Sequence, residues 1–412
     1  MIKRISSLLG IIIVSCPVFA QYSSGVPSDT LQARQSNLNA LEYVFDEDEI
    51  PESMNQEMED LLRDYNAQHY LFVDSDCVQM SEGPQFTKEE TIERLRKMPT
   101  LIEMPWNEVV QNYIDRYSQK LRRHVSLMLG AQNLYMQIFE EALETYGLPL
   151  ELRYLPVIES ALNPNAVSHA GAGGLWQFMV ASGQRYGLRV NSLVDERRDP
   201  TKSSYAAAHY LYDLFQIFGD WHLAIAAYNA GPGNIQKAIT RAGGARDYWE
   251  IYPYLPVETR GYVPAFIAAN YIMTYYRDYY ICPMKTTLPA QTDTIIVTKN
   301  LHFKQISEVI GIPIEELRAF NPQYRHDIVT GYTEPTDLRM PTEYVKLFIA
   351  NEDSIWAYDV SNLMKRDQVE VRSYSRSSRS ARVSTKSSST RKSATRKSSK
   401  SSSKKSSRRR RR

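Results

Sequence analysis

The helical spacing of apolar side chains between about residues 105 and 285 is the feature that most constrains the fold. Along the stretch 109–147, large apolar side chains recur about four residues apart, which places them on one face of a helix. Gly147-Leu148-Pro149 then marks a stop and a restart. Further helices are expected at about 149–162, 203–218, 221–228 and 259–276. Because none of this sequence alternates with the period of a strand, it predicts one all-α domain over residues 105–285.

The character of the sequence changes after about residue 290. Thr294-Ile295-Ile296-Val297 is rich in β-branched residues and predicts a strand, and Leu338-Arg339-Met340-Pro341 predicts a closing strand. Two short amphipathic helices are expected between them, at 303–310 and 313–320. This order predicts a compact βααβ unit at 290–345. The fold class is therefore mainly α, with an all-α domain followed by a small mixed unit.

The N-terminus has the pattern of an export signal. Residues 1–20 contain a basic start, a short apolar run and a small-residue end before Gln21, which predicts a cleaved signal peptide and a periplasmic or cell-envelope protein. Ile13-Val14-Ser15-Cys16 also resembles a lipobox, so an outer-membrane lipoprotein anchored through Cys16 stays open. Residues 21–104 form an acidic, partly helical extension, and its first part, 21–58, is expected to be weakly structured.

Charge is distributed unevenly along the chain. The net charge of +2 conceals 17 Lys and Arg residues between 372 and 412, where no Asp or Glu occurs. This Ser/Lys/Arg-rich segment has little to bury, so it is expected to be disordered. It would bind polyanions in a salt-dependent way, and export favours anionic envelope polymers or lipid head groups over a specific nucleic acid. A solvated tail without any partner is the alternative.

The number and spacing of the cysteine and histidine residues indicate little about function. Cys77 and Cys282 remain after signal cleavage, and they could form one disulfide in an oxidising compartment. Two unpaired thiols stay equally open, because the sequence does not show that the two residues meet. Two cysteines are too few for a thiolate zinc site, and the seven histidines have no ligand spacing. The sequence therefore implies no metal and no cofactor.

Glu159 is the residue that carries the chemical expectation. If 149–162 is helical, Glu159 lies on the same face as Leu152, Leu155 and Leu162. Desolvation there disfavours the charged form and should raise the pKa of this carboxyl. A carboxylic acid that is protonated near neutral pH suits a general acid for glycosidic cleavage. A structural Glu paired with an Arg would give the same pattern, so the pattern alone does not decide.

A glycine-rich loop follows Glu159, and its three glycines allow the backbone to approach a ligand closely. Beyond the loop, Trp176 is expected either to stack on a sugar or to pack in the core. Gln177 offers both a donor and an acceptor. Tyr228 and Asn229 lie at a predicted helix end, where Asn229 alone would be an ordinary helix-end residue.

Four motifs in this order resemble Slt-type lytic transglycosylases, within the glycoside hydrolase family that also contains goose-type lysozyme. The motifs are Glu159-Ser160, Gly174-Leu175-Trp176-Gln177, Ala227-Tyr228-Asn229 and Glu258-Thr259-Arg260-Gly261-Tyr262-Val263. Trp176 departs from the family pattern, in which Met is more common. The resemblance implies a lysozyme-like all-α catalytic domain at 105–285 and an enzyme that is a lyase acting on peptidoglycan.

The predicted βααβ unit resembles a LysM domain, a module that binds glycans containing N-acetylglucosamine (GlcNAc). Ile314-Glu315-Glu316-Leu317-Arg318-Ala319-Phe320-Asn321-Pro322 matches its second helix. Lys299-Asn300-Leu301-His302 stands where Gly-Asp-x-Leu is usual. The resemblance therefore implies the LysM fold and a contact to GlcNAc-containing glycan.

The first resemblance also implies a mechanism. Glu159 would protonate the oxygen between N-acetylmuramic acid (MurNAc) and GlcNAc, then accept the proton of the C6 hydroxyl, and the product would be 1,6-anhydro-MurNAc. The implied substrate-binding residues are Ser168 and Gln177, which orient the glycan, Tyr228 and Asn229, which support the charged intermediate, and Tyr262, which hydrogen-bonds near Glu159. Ser160 is expected to orient the local structure rather than to attack.

Two other readings remain at this stage. A goose-lysozyme-like hydrolase would need a second carboxylate and an ordered water. The position of the acids after the loop, Asp195, Glu196 and Asp199, is left open by the sequence. A non-catalytic peptidoglycan-binding protein is the other alternative.

Overall fold

The computed structural model describes residues 49–56, 61, 70–78, 80–289, 291–332, 334–365 and 370–371. The predicted signal peptide, Cys16 and the predicted basic tail lie outside these residues. The described chain has a large helical region before residue 289 and a small mixed unit after it, so the predicted mainly α fold class is confirmed. None of the described helices combines the length and apolarity that a bilayer span needs.

The large region consists of helices joined by turns and by longer loops, one of which connects Ser160 to Val180. In chain order they are α1 Glu52–Asn55, α2 Lys88–Lys97, α3 Glu108–Asp115, α4 Arg122–Thr145, α5 Leu155–Ser160, α6 Val180–Arg185, α7 Pro200–Phe218, α8 Trp221–Ala230, α9 Pro232–Arg241, α10 Tyr248–Ile251, α11 Val257–Arg260 and α12 Tyr262–Tyr275. A π-helical turn, Arg116–Lys120, separates α3 from α4 within the predicted 109–147 helix. Turns of 3-10 helix, Leu150–Tyr154 and Tyr252–Tyr254, precede α5 and follow α10.

Helix α12 is the centre of the hydrophobic core. Every residue from Tyr262 to Met273 is buried, as expected for a helix that is apolar on all sides. It packs against α3, α5 and α8, while α7 packs against α4 and α8. Asp199 caps the start of helix α7, where its side chain accepts from the amides of Thr201 and Lys202, and Gly219 with φ 67° caps its end. Local sequence signals therefore set the ends of the helices that surround the core.

Helix α5 is shorter than the predicted 149–162 helix. Ala161 and Leu162 adopt positive φ values of 49° and 60°, which end the helix at Ser160. Leu162 is fully buried by this turn. Because Leu162 lies beyond the end of α5, the prediction that Glu159 shares one helical face with it is wrong, and Glu159 itself is half-buried.

The acidic extension is tied to the helical region. Strand β1, Leu71–Phe72, pairs antiparallel with β2, Lys285–Thr286, and Cys77 forms a disulfide with Cys282. The two cysteines that the sequence left undecided are therefore bonded.

The start of the described chain is also packed, contrary to the expectation of weak structure. Glu49 is only 2% exposed, and its side chain accepts from the hydroxyl of Tyr252 at 2.9 Å. The hydroxyl of Ser53 donates to the carbonyl of Ile158 at 2.5 Å. Residues 49–56 are thereby fixed against α5 and the turn that follows α10.

The small unit has the predicted βααβ order with a second strand pair and three further helices added. Strand β3, Thr292–Val297, pairs antiparallel with β6, Thr336–Pro341, and the register places Val297 opposite Thr336. The remaining elements are β4 Asn300–His302, α13 Phe303–Ile310, α14 Ile314–Phe320, β5 Ile328–Thr330, α15 Thr342–Ala350, α16 Glu352–Ala357 and α17 Val360–Leu363. The antiparallel pair β4–β5 and the helices after β6 were not predicted. This unit has its own hydrophobic cluster, which also includes Leu193 and Val194 of the large region.

Candidate active site

A cleft of about 930 Å³ opens in the large helical region. Its walls come from residues 50–56, the end of α5, the loop 166–179, the end of α8 and the segment 256–262. The six residues predicted from the sequence, Glu159, Ser168, Gln177, Tyr228, Asn229 and Tyr262, all line it. The structure therefore brings every predicted site residue into one cleft.

Glu159 lies near the end of α5, where the left-handed turn holds the helix end at the cleft. The hydroxyl of Tyr262, the first residue of α12, donates to Oε1 of Glu159. Burial raises the pKa of Glu159 to about 7, although the hydrogen bond from Tyr262 acts in the opposite direction. Because this value lies near neutral pH, the carboxyl is able both to give and to take a proton.

Two tyrosines flank this carboxyl. Burial, and then the charge of Glu159, raise the pKa of Tyr262 and that of Tyr228 well above the usual value. Tyr228 donates its hydroxyl to the carbonyl of Trp176 at 2.8 Å. Both phenols therefore stay neutral and keep their protons as hydrogen-bond donors.

Gln177 is held by its own loop. Its φ is 46°, a left-handed value that is uncommon for a residue other than glycine. Its Nε2 donates to the carbonyls of Ala166 at 3.2 Å and Gly174 at 2.8 Å. With both N–H groups used, the amide offers a ligand its carbonyl oxygen.

Ser168 and Asn229 lie on different walls of the cleft. The Ser168 hydroxyl accepts from the amide of Ala172 at 3.1 Å, within a tight turn of the loop. Asn229 is exposed, and its Oδ1 accepts from the hydroxyl of Thr259 at 3.1 Å. This contact fixes the amide orientation and leaves the NH2 group of Asn229 able to donate to a ligand.

Trp176 does not line the cleft, so of the two interpretations that the sequence left open, stacking on a sugar and packing in the core, the structure shows the second. Its side chain is fully buried, its Nε1 donates to Ser204 Oγ at 2.9 Å, and its ring packs edge-on against Phe139 at 5.2 Å. Ser160 has a structural role, as expected, because its hydroxyl donates to the carbonyls of Pro156 and Leu175. These two residues support the cleft from within the core.

The acids that follow the loop do not reach the cleft. Asp195 pairs with Arg197, Glu196 pairs with Arg189 and Lys202, and Asp199 caps α7. The three carboxylates therefore bind backbone amides or cationic side chains.

Two other carboxylates do line the cleft, and the sequence reasoning missed both. Glu52 and Glu258 are exposed there, and Oε1 of Glu52 lies 2.8 Å from Nδ1 of His169. Glu258 precedes Tyr262 in the same motif, which could have indicated its position. Glu52 comes from the extension and had no local signal. No group of three or more His, Cys, Asp or Glu able to hold a metal occurs among the described residues.

Comparison with known proteins agrees with this geometry. Residues 136–251 match the transglycosylase SLT domain family, and residues 291–357 match the family described as the LysM-like domain of lytic transglycosylase MltD. The chain is 31% identical over 245 residues to membrane-bound lytic murein transglycosylase D of Escherichia coli, which covers 58% of this chain and 53% of that protein. This chain therefore spans about half the length of that relative.

Other relatives match shorter stretches. The soluble lytic murein transglycosylase of Escherichia coli is 33% identical over 141 residues, covering 33% of this chain and 21% of that protein. Among solved structures, the 70 kDa soluble lytic transglycosylase of the same species has 28% identity and a TM-score of 0.31, covering 36% of this chain and 25% of that one. On its two family matches, the chain carries a transglycosylase SLT domain followed by a LysM-like domain of the MltD type.

Proposed function

We propose that this protein is a peptidoglycan lytic transglycosylase of cell-wall remodelling. It cleaves the β1,4 bond between MurNAc and GlcNAc and leaves a 1,6-anhydro-MurNAc end. The observation that carries the proposal is Glu159, whose pKa of about 7 and hydrogen bond from Tyr262 occur in a cleft lined by the other four predicted site residues. The SLT domain match over 136–251 includes Glu159 and four of the other five residues.

The first step is proton donation. Because Tyr262 donates to Oε1 of Glu159, the proton of the neutral carboxyl is carried on Oε2. Oε2 gives this proton to the glycosidic oxygen as the bond to the anomeric carbon breaks. The GlcNAc part of the strand leaves with the protonated oxygen as its new hydroxyl. Positive charge develops on the MurNAc ring, as an oxocarbenium-like or oxazolinium species.

The cleft residues hold this intermediate. The NH2 group of Asn229 positions the N-acetyl group, and Tyr228 supports the charged species. The carbonyl oxygen of Gln177 and the hydroxyl of Ser168 orient the glycan. Each of these side chains is already fixed by a contact to its own wall, so little further ordering is needed when the glycan binds.

The second step closes the sugar on itself. Glu159, now ionised, takes the proton of the C6 hydroxyl while that oxygen attacks the anomeric carbon. The carboxyl returns to its neutral form, and no water is consumed. Holding the C6 hydroxyl beside the anomeric carbon is a proximity effect that can supply about 7–11 kcal/mol at best.

The test is digestion of purified sacculi, followed by mass spectrometry of the new ends. We expect anhydro ends, which are lighter than reducing ends by one water. Glu159→Gln should lower the rate roughly 100-fold or more, because general acid–base catalysis is worth about 10²–10⁴-fold. Glu93→Gln, an exposed change on α2, is the matched control and should keep full activity.

The same digestion separates the two alternatives. Reducing ends, with activity lost in Glu52→Gln or Glu258→Gln, would identify a hydrolase that uses one of the exposed cleft carboxylates. Binding to sacculi with no cleavage by the wild-type protein would identify a non-catalytic peptidoglycan-binding protein.

The proposal includes export to the periplasm or cell envelope, either as a soluble protein or as a lipoprotein through Cys16. The LysM-like domain contacts GlcNAc-containing glycan, and the basic segment 372–412 contacts anionic envelope polymers. Removing 372–412 should reduce retention in the envelope at low salt, since such contacts are electrostatic. Unchanged retention at low salt would contradict this role.

A further inference from the structure

A loop of the large helical region is built into the LysM-like unit. Val194 forms an antiparallel bridge with Tyr324. The amide of Asp195 donates to the carbonyl of Gln323 at 2.9 Å, and the amide of Arg325 donates to the carbonyl of Leu193 at 2.7 Å. Because Leu193 and Val194 also belong to the hydrophobic cluster of the small unit, the two regions are joined by backbone pairing and by a shared core.

Asp195 is the charged centre of this junction. Its side chain is fully buried and accepts two hydrogen bonds from Arg197, at 2.9 and 2.8 Å, and one from Nη2 of Arg325 at 2.6 Å. Burial alone would raise the pKa of Asp195, but the two guanidinium groups outweigh it and hold this pKa below its usual value. Asp195 therefore remains ionised and links a cation of each region.

Arg197 connects this junction to the cleft. Its Nη1 donates to the carbonyls of Gly171 and Phe178, at 2.9 Å each. Gly173 and Phe178 in turn exchange two backbone hydrogen bonds, so the whole turn is held at its base. This turn is part of the loop that places Ser168 and Gln177 in the cleft.

Glu196 provides a second connection beside the first. It is 3% exposed and accepts from Arg189 at 2.7 Å and from Lys202 at 2.8 Å. Arg189 also reaches Glu334 of the LysM-like unit at 2.7 Å. Asp195 and Glu196 are thus both linked to the small unit, the first through Arg325 and the second through Arg189.

We propose that Arg325 is a positioning residue for the cleft. Through Asp195 and Arg197, the LysM-like unit holds the loop that carries Ser168 and Gln177. The unit then has a role in the geometry of the SLT domain in addition to any contact with glycan. This inference rests on the proposed function for its activity measurement alone.

Amide hydrogen exchange of the full-length protein tests the inference without any substrate. Arg325→Ala should speed exchange at Gly173 and Phe178 roughly tenfold or more, since hydrogen bonds to charged groups are stronger than those between neutral groups. Arg318→Ala is the matched control, because Arg318 pairs with Asp327 at 2.7 Å inside the small unit. It should leave exchange in the loop 166–178 as in the wild type.

Kinetics give the second measurement. Arg325→Ala should lower kcat on sacculi several-fold with little change in KM, and Arg325→Lys should recover part of the loss. If Arg325→Ala does not fold, exchange in Arg325→Lys decides, with a smaller rise in the same loop expected. Loop exchange equal to that of Arg318→Ala would overturn the inference. A wild-type protein without activity would instead refute the proposed function, and the exchange result would still stand.

Discussion

At the scale of single residues, the environment of Glu159 couples the stability of the fold to pH. Its pKa is raised from 4.5 to about 7, mainly by burial. The unfolded chain therefore releases this proton at lower pH than the folded chain does. The stabilisation from the neutral carboxyl is complete below about pH 4.5 and is lost as pH rises to about 7.

This coupling predicts that Glu159→Gln is more stable than the wild type in alkaline solution. The gain in free energy of unfolding should be up to about 2 kcal/mol at pH 8, allowing for solvent on the cleft side, and should vanish near pH 4.5. Urea denaturation at the two pH values measures it. The same measurements on Glu93→Gln, an exposed site, should show no pH-dependent gain, and a gain there would contradict this origin.

Tyr262 acts on the pKa of Glu159 in the opposite direction to burial. Its hydrogen bond lowers the pKa of Glu159, so Tyr262→Phe should raise that pKa further. The alkaline limit of kcat/KM should move up by about one pH unit, while the maximal rate falls because the base is less well held. Tyr271→Phe removes the hydroxyl of another buried tyrosine, which contacts Tyr279, and should leave the pH profile unchanged. An unshifted profile in Tyr262→Phe would contradict the assignment.

At the scale of elements, the loop after α5 depends on a close backbone approach at Gly174. Gly171 and Gly174 both have φ 85°. A Cβ on Gly174 would lie 1.8 Å from the carbonyl oxygen of Arg197, whereas a Cβ on Gly171 would meet nothing within 4 Å. The two glycines thus share one backbone conformation and differ in the space around them.

We predict that alanine substitutions separate these two effects. Gly171→Ala should cost about 1 kcal/mol of unfolding free energy for its backbone conformation alone. Gly174→Ala should cost about 2–4 kcal/mol, because overpacking adds about 1–3 kcal/mol to the same conformational cost. Urea denaturation of both variants measures the difference, and equal losses would show that the contact with Arg197 is easily relieved.

Sequence reasoning was most successful where information is local. The body and the C-terminal end of α7 were predicted because their apolar spacing is local, although the helix begins at Pro200 rather than near 203. Five of the six cleft residues lie in short ordered motifs, and Ser168 lies in the loop between the first two motifs. The end of α5 was missed because left-handed Ala161 and Leu162 carry no glycine signal. The ring of Trp176 was left undecided because an aromatic residue beside a loop has the same pattern in a core and in a cleft.

Contacts between distant parts of the chain could not be predicted in this way. The wall formed by residues 50–56 depends on Glu49 meeting Tyr252, and the junction depends on Asp195 meeting Arg325. Neither pair is marked by periodicity or by a motif. Such pairs are set by the packing of complete elements, which a single sequence does not display.

At the scale of the whole molecule, the disulfide between Cys77 and Cys282 closes a long loop. The two residues are 205 positions apart, so the bond ties the extension to the end of the large helical region. We predict that replacing both cysteines by Ser lowers the free energy of unfolding by about 2–4 kcal/mol. Reductant should destabilise the wild type by a similar amount and leave the double variant unaffected. Equal stability of the two oxidised proteins would contradict this contribution.

The bridge between Val194 and Tyr324 has a consequence for how the protein would meet a long polymer. A glycan-binding module on a flexible linker can reach many sugars along a polymer. The LysM-like unit is instead joined to the large helical region by backbone pairing, which leaves little freedom of movement between the two. A glycan strand that engages both regions would therefore have to fit their fixed separation. A glycan fragment too short to span both regions would contact only one of them at a time.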